Sequence, residues 1–496
     1  MRQLNSLDAQ FLNAETATTL THVGALMILD PSTVPGGMIT VEDLRALIGD
    51  RLSLVGPLGW RLRQVPLGLD LPYWVQAPFL DLEYHIREIA VPDPGTDRLL
   101  GEQISRIAGF PLNRDRPLWE CYLVHGLAGG RQAVYLKMHL AALGGRPVEE
   151  VTAVLLGMGP QSDDVAAPQR APEPLQGAGI AAVLGNSVWH LAMAPLWLMR
   201  SAPAIVPHLL ELPGATTVPG ARRLGAVAAA LGRATGLRSA DPRPARAATP
   251  PETPFNGPIT PHRRLAFTSL PLHEVNAVNK AMGVTVEAVV LALCTTALRQ
   301  WLIDHSALPE TPLVAAVPVH TTQTGRGGRQ TSLMLTSLPT DEPDPVQRLR
   351  LVHTALTGAA ERFHVTPATL LHKYSATLPQ VWHGLATRTL LRALTVGAPP
   401  FNLVISNISG PRTTLRAAGA AVTGTFPVSA ITDTFGGITI KVLSYDRHLD
   451  VGIIVCRKMV PDVWDIVGHL RTALTELTAC TSNVSSYPYQ VTPTRS

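Results

Sequence analysis

Apolar runs alternate with amphipathic segments through the first 159 residues. The runs THVGALMIL at 21–29 and RQAVYLKMHL at 131–140 are short, apolar and rich in strand-forming residues, which predicts two buried strands. Between them, VEDLRALIGDRL at 41–52 repeats its apolar residues at helical spacing, which predicts a helix with one buried face. This part of the chain is therefore predicted to be a mixed α/β domain.

A second set of elements begins at residue 262. TVEAVVLALCTTALRQWL at 285–302 predicts a buried helix capped by Thr285, and the segment at 343–363 predicts an amphipathic helix that begins at a proline. A buried strand is predicted at 312–320, and further strands are predicted at 263–272, 401–411, 436–446 and 448–456. Strands and helices do not alternate regularly, so both halves are predicted to be mixed α/β.

The stretch between the two halves is rich in proline and alanine. We expect an N-terminal domain at 1–159, a linker at 160–261, a C-terminal domain at 262–480 and a tail at 481–496. The apolar segment at 179–200 is long enough to span a membrane, but Asn186, His190 and Pro195 interrupt it. A helix that lies against lipid or packs on the protein is expected instead. Arginines near this segment would be attracted to an anionic membrane surface, or the segment is a solvated bridge between the two domains.

Composition narrows the class of protein. The 496 residues are 46% hydrophobic and 16% charged, which suits two large cores, and a net charge of +4 without basic runs argues against nucleic-acid binding. The four cysteines form no CxxC pair, so we expect reduced thiols in the cytoplasm and no metal site. The N-terminal segment has no apolar core of a signal peptide.

Seven segments, spread in order along the chain, resemble one known family. It is the bacterial wax ester synthase/acyl-CoA:diacylglycerol acyltransferase family, particularly its actinobacterial members. The matching segments are LDAQFL (7–12), HVGAL (22–26), PLNRDRPLWE (111–120), NGPITPHRRLAF (256–267), PLVAAVPV (312–319), SNISGP (406–411) and SYDRHLDVGI (444–453).

The resemblance implies a fold and a reaction. We expect the two-domain fold of the CoA-dependent acyltransferase superfamily, with α/β sandwich domains of mixed sheets, a long linker and a tunnel between the domains. The family esterifies diacylglycerol or a fatty alcohol with long-chain acyl-CoA as the substrate and needs no other cofactor. Its members associate peripherally with membranes or lipid droplets.

The family's HHxxxDG hallmark is altered in this chain. Its first histidine corresponds to His139, but the general-base histidine corresponds to Leu140 and the anchoring aspartate to Gly144, followed by Gly145. Leucine accepts no proton, whereas a neutral imidazole activates an alcohol. If Leu140 faces the tunnel, strand alternation turns His139 to the other layer as a hydrogen-bonded core histidine. A one-residue slip at the strand end would instead let His139 act as the base.

Other residues remain candidates beside the hallmark. His320 is the last residue of a predicted strand and is either a substitute base or a surface loop residue. The substrate-binding positions that the resemblance implies are Leu140, Gly144, Gly145, Asn407, Gly410 and Pro411; at Gly410 a close backbone approach is expected. In PLNRDRPLWE, a local ion pair of Arg116 with Glu120 above Trp119 is expected as a structural brace.

Two functions follow from these residues. The first is an acyl-CoA-dependent O-acyltransferase of the diacylglycerol or wax ester type with an altered, weak or lost catalytic centre. The second is a catalytically inactive paralogue that binds lipid or acyl-CoA and associates with an active relative. A hydrolase or other transferase that uses His320 is a third, weaker possibility.

Overall fold

The computed structural model describes residues 2–65, 71–77, 79–158, 250–322, 329–365, 401–433 and 436–484. The predicted apolar segment at 179–200, most of the linker and most of the tail lie outside these residues, and so does the side chain of His320. Residues 2–158 are called the first half below, and residues 250–484 the second half.

The first half contains seven strands and five α-helices within the described residues. They are β1 (Arg2–Gln3), α1 (Ser6–Ala14), β2 (His22–Asp30), α2 (Val41–Arg51), β3 (Trp60–Arg63), β4 (Tyr73–Gln76), α3 (Leu82–His85), β5 (Ile86–Ala90), α4 (Asp97–Ala108), β6 (Trp119–His125), β7 (Gln132–His139) and α5 (Val148–Leu155).

The second half contains eight strands and four α-helices within its described part. They are β8 (Arg263–Pro271), α6 (Leu272–Met282), α7 (Val286–Asp304), β9 (Leu313–Thr322), β10 (Arg329–Leu338), α8 (Pro345–Val365), β11 (Leu403–Ser409), β12 (Arg416–Ala417), β13 (Ala420–Val428), β14 (Ile438–Tyr445), β15 (His448–Cys456) and α9 (Val463–Val484).

Each half is built on a six-stranded mixed sheet. The order is β12-β13-β2-β7-β6-β5 in the first and β10-β9-β11-β14-β15-β8 in the second. In the first sheet only the β5–β6 pair is parallel, and in the second β11 runs parallel to both β9 and β14. The predicted mixed α/β class is therefore confirmed in both halves.

The first sheet contains two strands from the second half of the chain. β13 pairs antiparallel with β2, with Phe426 opposite Leu26, and β12 extends the edge. Domain boundaries drawn along the chain do not anticipate this exchange, because the segment 416–428 lies more than 250 residues after the strands that it joins. The exchange ties the two halves together through backbone hydrogen bonds.

Three apolar layers result from strand alternation. Leu136 and Met138 of β7 face the core of the first half, which also receives Trp119. Tyr135 faces a central layer between the two sheets, where Phe267 of β8 packs against Phe426 of β13 at a ring distance of 4.6 Å. The helices α6, α7 and α9 cover the outer face of the second sheet.

Helix α7 forms much of the core of the second half. Thr285 caps it by accepting a hydrogen bond from the amide of Ala288, as the sequence predicts. Within the described residues it is the one helix long and apolar enough to cross a membrane, but 67% of its apolar window is buried inside the protein. Its apolarity is accounted for by packing.

Candidate active site

The altered hallmark lies where β7 ends and the chain turns. His139 is the last residue of the strand, and residues Leu140–Leu143 form a 3₁₀ turn. Gly144 and Gly145 follow with φ of +61° and +80°, in the left-handed region that glycine enters without strain. The two glycines therefore close the turn and return the chain to α5.

Strand alternation decides which way the hallmark side chains point. Leu140 packs against the core of the first half. His139 shares its strand face with Tyr135 and Lys137, and this face is turned toward the second half. The arrangement that would put Leu140 on the inter-domain side and His139 in the other layer is therefore not the one adopted. His139 nevertheless is a hydrogen-bonded core histidine, only 1% exposed.

The contacts of His139 determine where its proton lies. The backbone amide of Ala141 donates to Nδ1 at 3.0 Å, so Nδ1 carries a lone pair and the proton of the neutral ring is on Nε2. Nε2 lies 3.0 Å from the hydroxyl oxygen of Thr21 and 3.3 Å from Oε1 of Glu15. Both nitrogens are therefore engaged, and His139 has no free lone pair with which to accept a proton from an alcohol.

Glu15, just after α1, is the centre of a buried polar cluster. Its Oε1 accepts the backbone amide of Thr21 at 3.1 Å and lies 3.1 Å from Nε2 of His22, while its Oε2 accepts from Arg114 at 2.7 Å. Burial by itself raises the pKa of Glu15, but the contacts with His139 and His22 outweigh it and the net shift is downward. The cluster therefore holds Glu15 as a carboxylate.

His22 faces His139 across the β2–β7 ladder. The two residues are register partners, and their rings meet edge to face at 5.6 Å. His22 is 6% exposed, and neither of its ring nitrogens has an aligned hydrogen-bond partner among the described residues. Burial lowers its pKa to about 4, although the Glu15 carboxylate opposes the shift. At neutral pH His22 is therefore an uncharged imidazole.

The cluster has the composition of a metal site but not its protonation. One ligand atom each from Glu15, His22 and His139 lies within 4.8 Å of the others, a set that would suit a divalent transition metal. A ligating imidazole must present a lone pair to the metal. The Ala141 amide on Nδ1 leaves a proton on the nitrogen of His139 that faces the cluster. The residues as they stand therefore fit a hydrogen-bonded cluster and not a metal centre.

A buried lysine lies on the same strand face. The Lys137 side chain is 0% exposed, and its Nζ donates to the carbonyl oxygens of Ile107 at 2.9 Å and Phe110 at 2.6 Å. Burial lowers its pKa to about 8. These bonds tie the end of α4 to the sheet beside the polar cluster.

The segment PLNRDRPLWE braces the first half, but by contacts other than the expected ion pair. Arg116 pairs with Asp81 at 2.9 Å, and Glu120 accepts from the hydroxyl of Tyr122 at 2.8 Å. The prediction of an Arg116–Glu120 ion pair is therefore wrong. Since Glu120 lies on β6, its partners are set by the sheet. Trp119 is fully buried and stacks on the ring of His85 at 4.6 Å.

The remaining candidates lie in strands of the second sheet or directly after one of them. A β-carbon at Gly410 would clash with the carbonyl oxygen of Ser444, so the close backbone approach expected there is present. Asn407 is in β11, and its Oδ1 is buried without a hydrogen-bond partner among the described residues. The carbonyl oxygen of Pro411 accepts a hydrogen bond from the backbone amide of Asp446. His320 lies in β9 opposite Thr331.

Sequence reasoning did not select Glu15 and His22 as site residues. A signal was available, because His22 begins the matching segment HVGAL and Glu15 follows LDAQFL by three residues. The spacing of seven residues between Glu15 and His22 was not informative, because no local periodicity connects these two positions. They meet because α1 packs against the turn after β7 and β2 pairs with that strand.

Comparison with known proteins agrees with this architecture. A family model described as the wax ester synthase/diacylglycerol acyltransferase catalytic domain matches residues 4–290, and the model of the corresponding C-terminal domain matches residues 327–478.

The chain belongs to the wax ester synthase/diacylglycerol acyltransferase family. A Mycobacterium tuberculosis protein named "Putative diacyglycerol O-acyltransferase" is 34% identical over 488 residues, which cover 97% of this chain and 91% of that protein. Another protein of that species with the same name is 33% identical and covers 96% and 99% of the two chains.

A solved structure of the same family has the same fold. The wax ester synthase/diacylglycerol acyltransferase from Marinobacter aquaeolei VT8 is 28% identical, and the match covers 97% of this chain and all of that one with a TM-score of 0.66. The two-domain α/β acyltransferase fold predicted from the seven segments is thus confirmed. Acyl-CoA is the substrate that this family implies.

Proposed function

We propose that this protein transfers long-chain acyl groups from acyl-CoA to diacylglycerol or a fatty alcohol through a weakened catalytic centre. One observation carries the proposal. The hallmark's base position is Leu140, and the neighbouring His139 has both ring nitrogens engaged by Ala141, Thr21 and Glu15. The family fold remains able to bring a thioester and an alcohol together, and orientation alone contributes substantially to rate.

The magnitude of the loss follows from the role of the base. General-base catalysis contributes about 10²–10⁴-fold to rate. We therefore expect turnover lower by about this factor than in a relative with an intact hallmark. No cofactor is required for this chemistry, because the thioester is already activated for attack.

Restoring the hallmark tests the proposal. The variant Leu140→His with Gly144→Asp should raise the rate of acyl transfer from long-chain acyl-CoA to diacylglycerol by about 10²–10⁴-fold. The aspartate has room, because a β-carbon at Gly144 would lie 3.9 Å from Pro57 and aspartate tolerates left-handed backbone. The imidazole at residue 140 must rotate away from the core against which Leu140 packs. Leu140→Gln with Gly144→Asp is the matched control, since it adds polarity without a base.

The outcomes separate the possibilities. A rate increase only in the histidine variant supports a dormant centre on an intact scaffold. Equal rates in the parent and both variants, with matching thermal unfolding, would show that the missing base at residue 140 does not limit the rate and would refute the proposal.

A second candidate is a noncatalytic protein that binds acyl-CoA or lipid and associates with an active paralogue. The engagement of both nitrogens of His139 favours it too, because it removes the nearest replacement base. The parent protein would then bind acyl-CoA but release no free CoA in the presence of diacylglycerol. Co-purification with an active relative when the two are co-expressed would support the paralogue association.

Peripheral contact with a membrane or lipid droplet completes the proposal. Diacylglycerol and fatty alcohols reside in lipid, and the exposed rings of Phe79 and Phe110, 91% and 66% exposed, offer apolar contacts. Flotation with liposomes that contain diacylglycerol should recover the parent, and Phe79→Ser with Phe110→Ser should remain at the bottom of the gradient. Equal flotation of the parent and the double variant would show that Phe79 and Phe110 do not mediate membrane binding.

A further inference from the structure

The polar cluster leaves one nitrogen of His22 with a free lone pair. Oε1 of Glu15 lies 3.1 Å from Nε2 of His22, and the ionised carboxylate favours the proton of the neutral ring on that nitrogen. Nδ1 then carries the lone pair, and within the described part of the chain no donor is aligned with it. A buried acceptor of this kind is rare in native proteins, because an unmade hydrogen bond costs free energy. Nδ1 is therefore available to the hydroxyl of a ligand.

The pairing of a carboxylate with one nitrogen of an imidazole is the arrangement of a general base. The carboxylate fixes the tautomer and the orientation of the ring, and the opposite nitrogen accepts the proton. Glu15 is itself held in place, because its Oε1 accepts the amide of Thr21 and its Oε2 accepts from Arg114. His22 has this arrangement, whereas His139 does not, since both of its nitrogens are engaged.

Strand alternation places His22 at the boundary between the two halves. Val23 packs in the core of the first half, so His22 lies on the opposite face of β2, which is turned toward the second half. The loop that joins Glu15 to β2 is tied to the second half, because the hydroxyl of Thr19 donates to Asp433 at 3.3 Å. The Glu15 side chain is 10% exposed, so the cluster lies close to the surface at this boundary. The tunnel that the family resemblance implies is expected along the same boundary.

Burial keeps the ring of His22 in the uncharged form that accepts a proton. It lowers the pKa of His22 to about 4, with an opposing effect of Glu15 and a further lowering by Lys137 and His139. Lys137 does not compete for the role of base, because its Nζ donates to two backbone carbonyl oxygens. General-base catalysis becomes less efficient as the pKa of the base falls below the working pH. Transfer through His22 is therefore slow, in accord with a weakened centre.

We propose that Nδ1 of His22 is the general base for acyl transfer in this protein, in place of the histidine that Leu140 replaces. The inference rests on the proposed function for the reaction. The acceptor hydroxyl gives its proton to Nδ1 while its oxygen bonds to the carbonyl carbon of the thioester. The carbon–sulfur bond then breaks and the proton passes from Nδ1 to the sulfur, so an ester and a free thiol leave and His22 is neutral again.

The test compares kcat/KM for acyl transfer to diacylglycerol in four full-length proteins. They are the parent, His22→Gln, the variant Leu140→His with Gly144→Asp, and the combination of all three substitutions. Glutamine keeps a donor toward Glu15 but accepts no proton. We expect His22→Gln to lower the rate of the parent at least fivefold, and to lower that of the variant with the restored hallmark severalfold less, because the imidazole at residue 140 then serves as the base. His273→Gln, at an exposed position on α6, should retain the parental rate.

The pH dependence of the parent tests the same assignment without a substitution. A base with a pKa of about 4 leaves kcat/KM of the parent level between about pH 5.5 and 8. Thermal unfolding at each pH ensures that only folded protein is compared. A fall of kcat/KM centred near pH 6.5, the ordinary value for a histidine, would assign the base to another residue and overturn the inference, even if His22→Gln does not fold.

The results separate this inference from the proposed function. An equal loss from His22→Gln in both backgrounds would show a structural role and overturn the inference. An unchanged parental rate in His22→Gln, beside faster transfer after restoration of the hallmark, would overturn the inference and leave the proposed function standing. Absence of transfer in the parent and in the variant with the restored hallmark would contradict both.

Discussion

Acidification should destabilise this protein through His22. Burial lowers the pKa of His22 to about 4 from an ordinary value of 6.5. Between these two values the unfolded chain binds a proton that the folded chain does not, so stability falls as the pH decreases through this window and is unaffected above it. The resulting loss in the free energy of unfolding is about 2 kcal/mol at pH 5 and approaches about 3 kcal/mol below pH 4.

Glu15 acts in the same direction but at lower pH. Its pKa is lowered in the folded state, so its stabilising contribution is present above its ordinary value of 4.5 and is lost only as the pH falls below it. Burial raises the pKa of Asp8 to about 7 and that of Asp450 to about 6, so both carboxyl groups act in the opposite direction between pH 7.5 and 5.0. The comparison of the parent with a variant that lacks His22 isolates the contribution of His22.

The assay is urea unfolding followed by tryptophan fluorescence at pH 7.5 and pH 5.0. The variant His22→Gln removes the titrating group, so the difference in unfolding free energy between the two pH values should be smaller than in the parent by about 2 kcal/mol. His273→Gln replaces an exposed histidine on α6 and should keep the parental difference. The reasoning is refuted if His22→Gln and the parent lose the same stability on acidification.

Two further substitutions test how the scaffold is held. Trp119→Phe removes the indole that donates to the carbonyl oxygen of Leu58 at 2.7 Å, and the unpaired buried carbonyl should lower the free energy of unfolding by about 1–3 kcal/mol, measured in urea. Gly410→Ala should cost about 1–3 kcal/mol, because its β-carbon meets the carbonyl oxygen of Ser444. At Gly468 on α9, an added β-carbon would have no atom within 4 Å, so Gly468→Ala should raise the free energy of unfolding by about 0.5–1 kcal/mol. A lower free energy of unfolding in both alanine variants would argue against the steric explanation.

Local patterns were sufficient for the secondary structure of several segments of the chain. The strand predicted at 131–140 ends at His139, and the helix predicted at 285–302 is α7 with the expected Thr285 cap. These features depend on neighbours within a few positions, through strand alternation, helical periodicity and side-chain capping. The chemistry of the hallmark positions was also readable, because Leu140 and Gly144 carry no ionisable group wherever they lie.

Tertiary packing decided how the site is assembled. Glu15, His22 and His139 come from a loop and two strands, and they meet because β2 pairs with β7. The direction of Leu140 depends on which face of β7 meets the second half, and the partner of Arg116 depends on where the loop with Asp81 packs. Contacts of this kind join residues far apart in the chain, so no spacing within a local window encodes them.

The sequence by itself thus determined the family, the mixed α/β elements and the absence of an ionisable side chain at the hallmark's base position. Only the tertiary structure decided that β12 and β13 complete the first sheet and that both ring nitrogens of His139 are already engaged. The physical reason is that helical hydrogen bonding, capping and periodicity act along the chain, whereas strand pairing, burial, protonation and charge pairing depend on which distant segments the fold brings into contact.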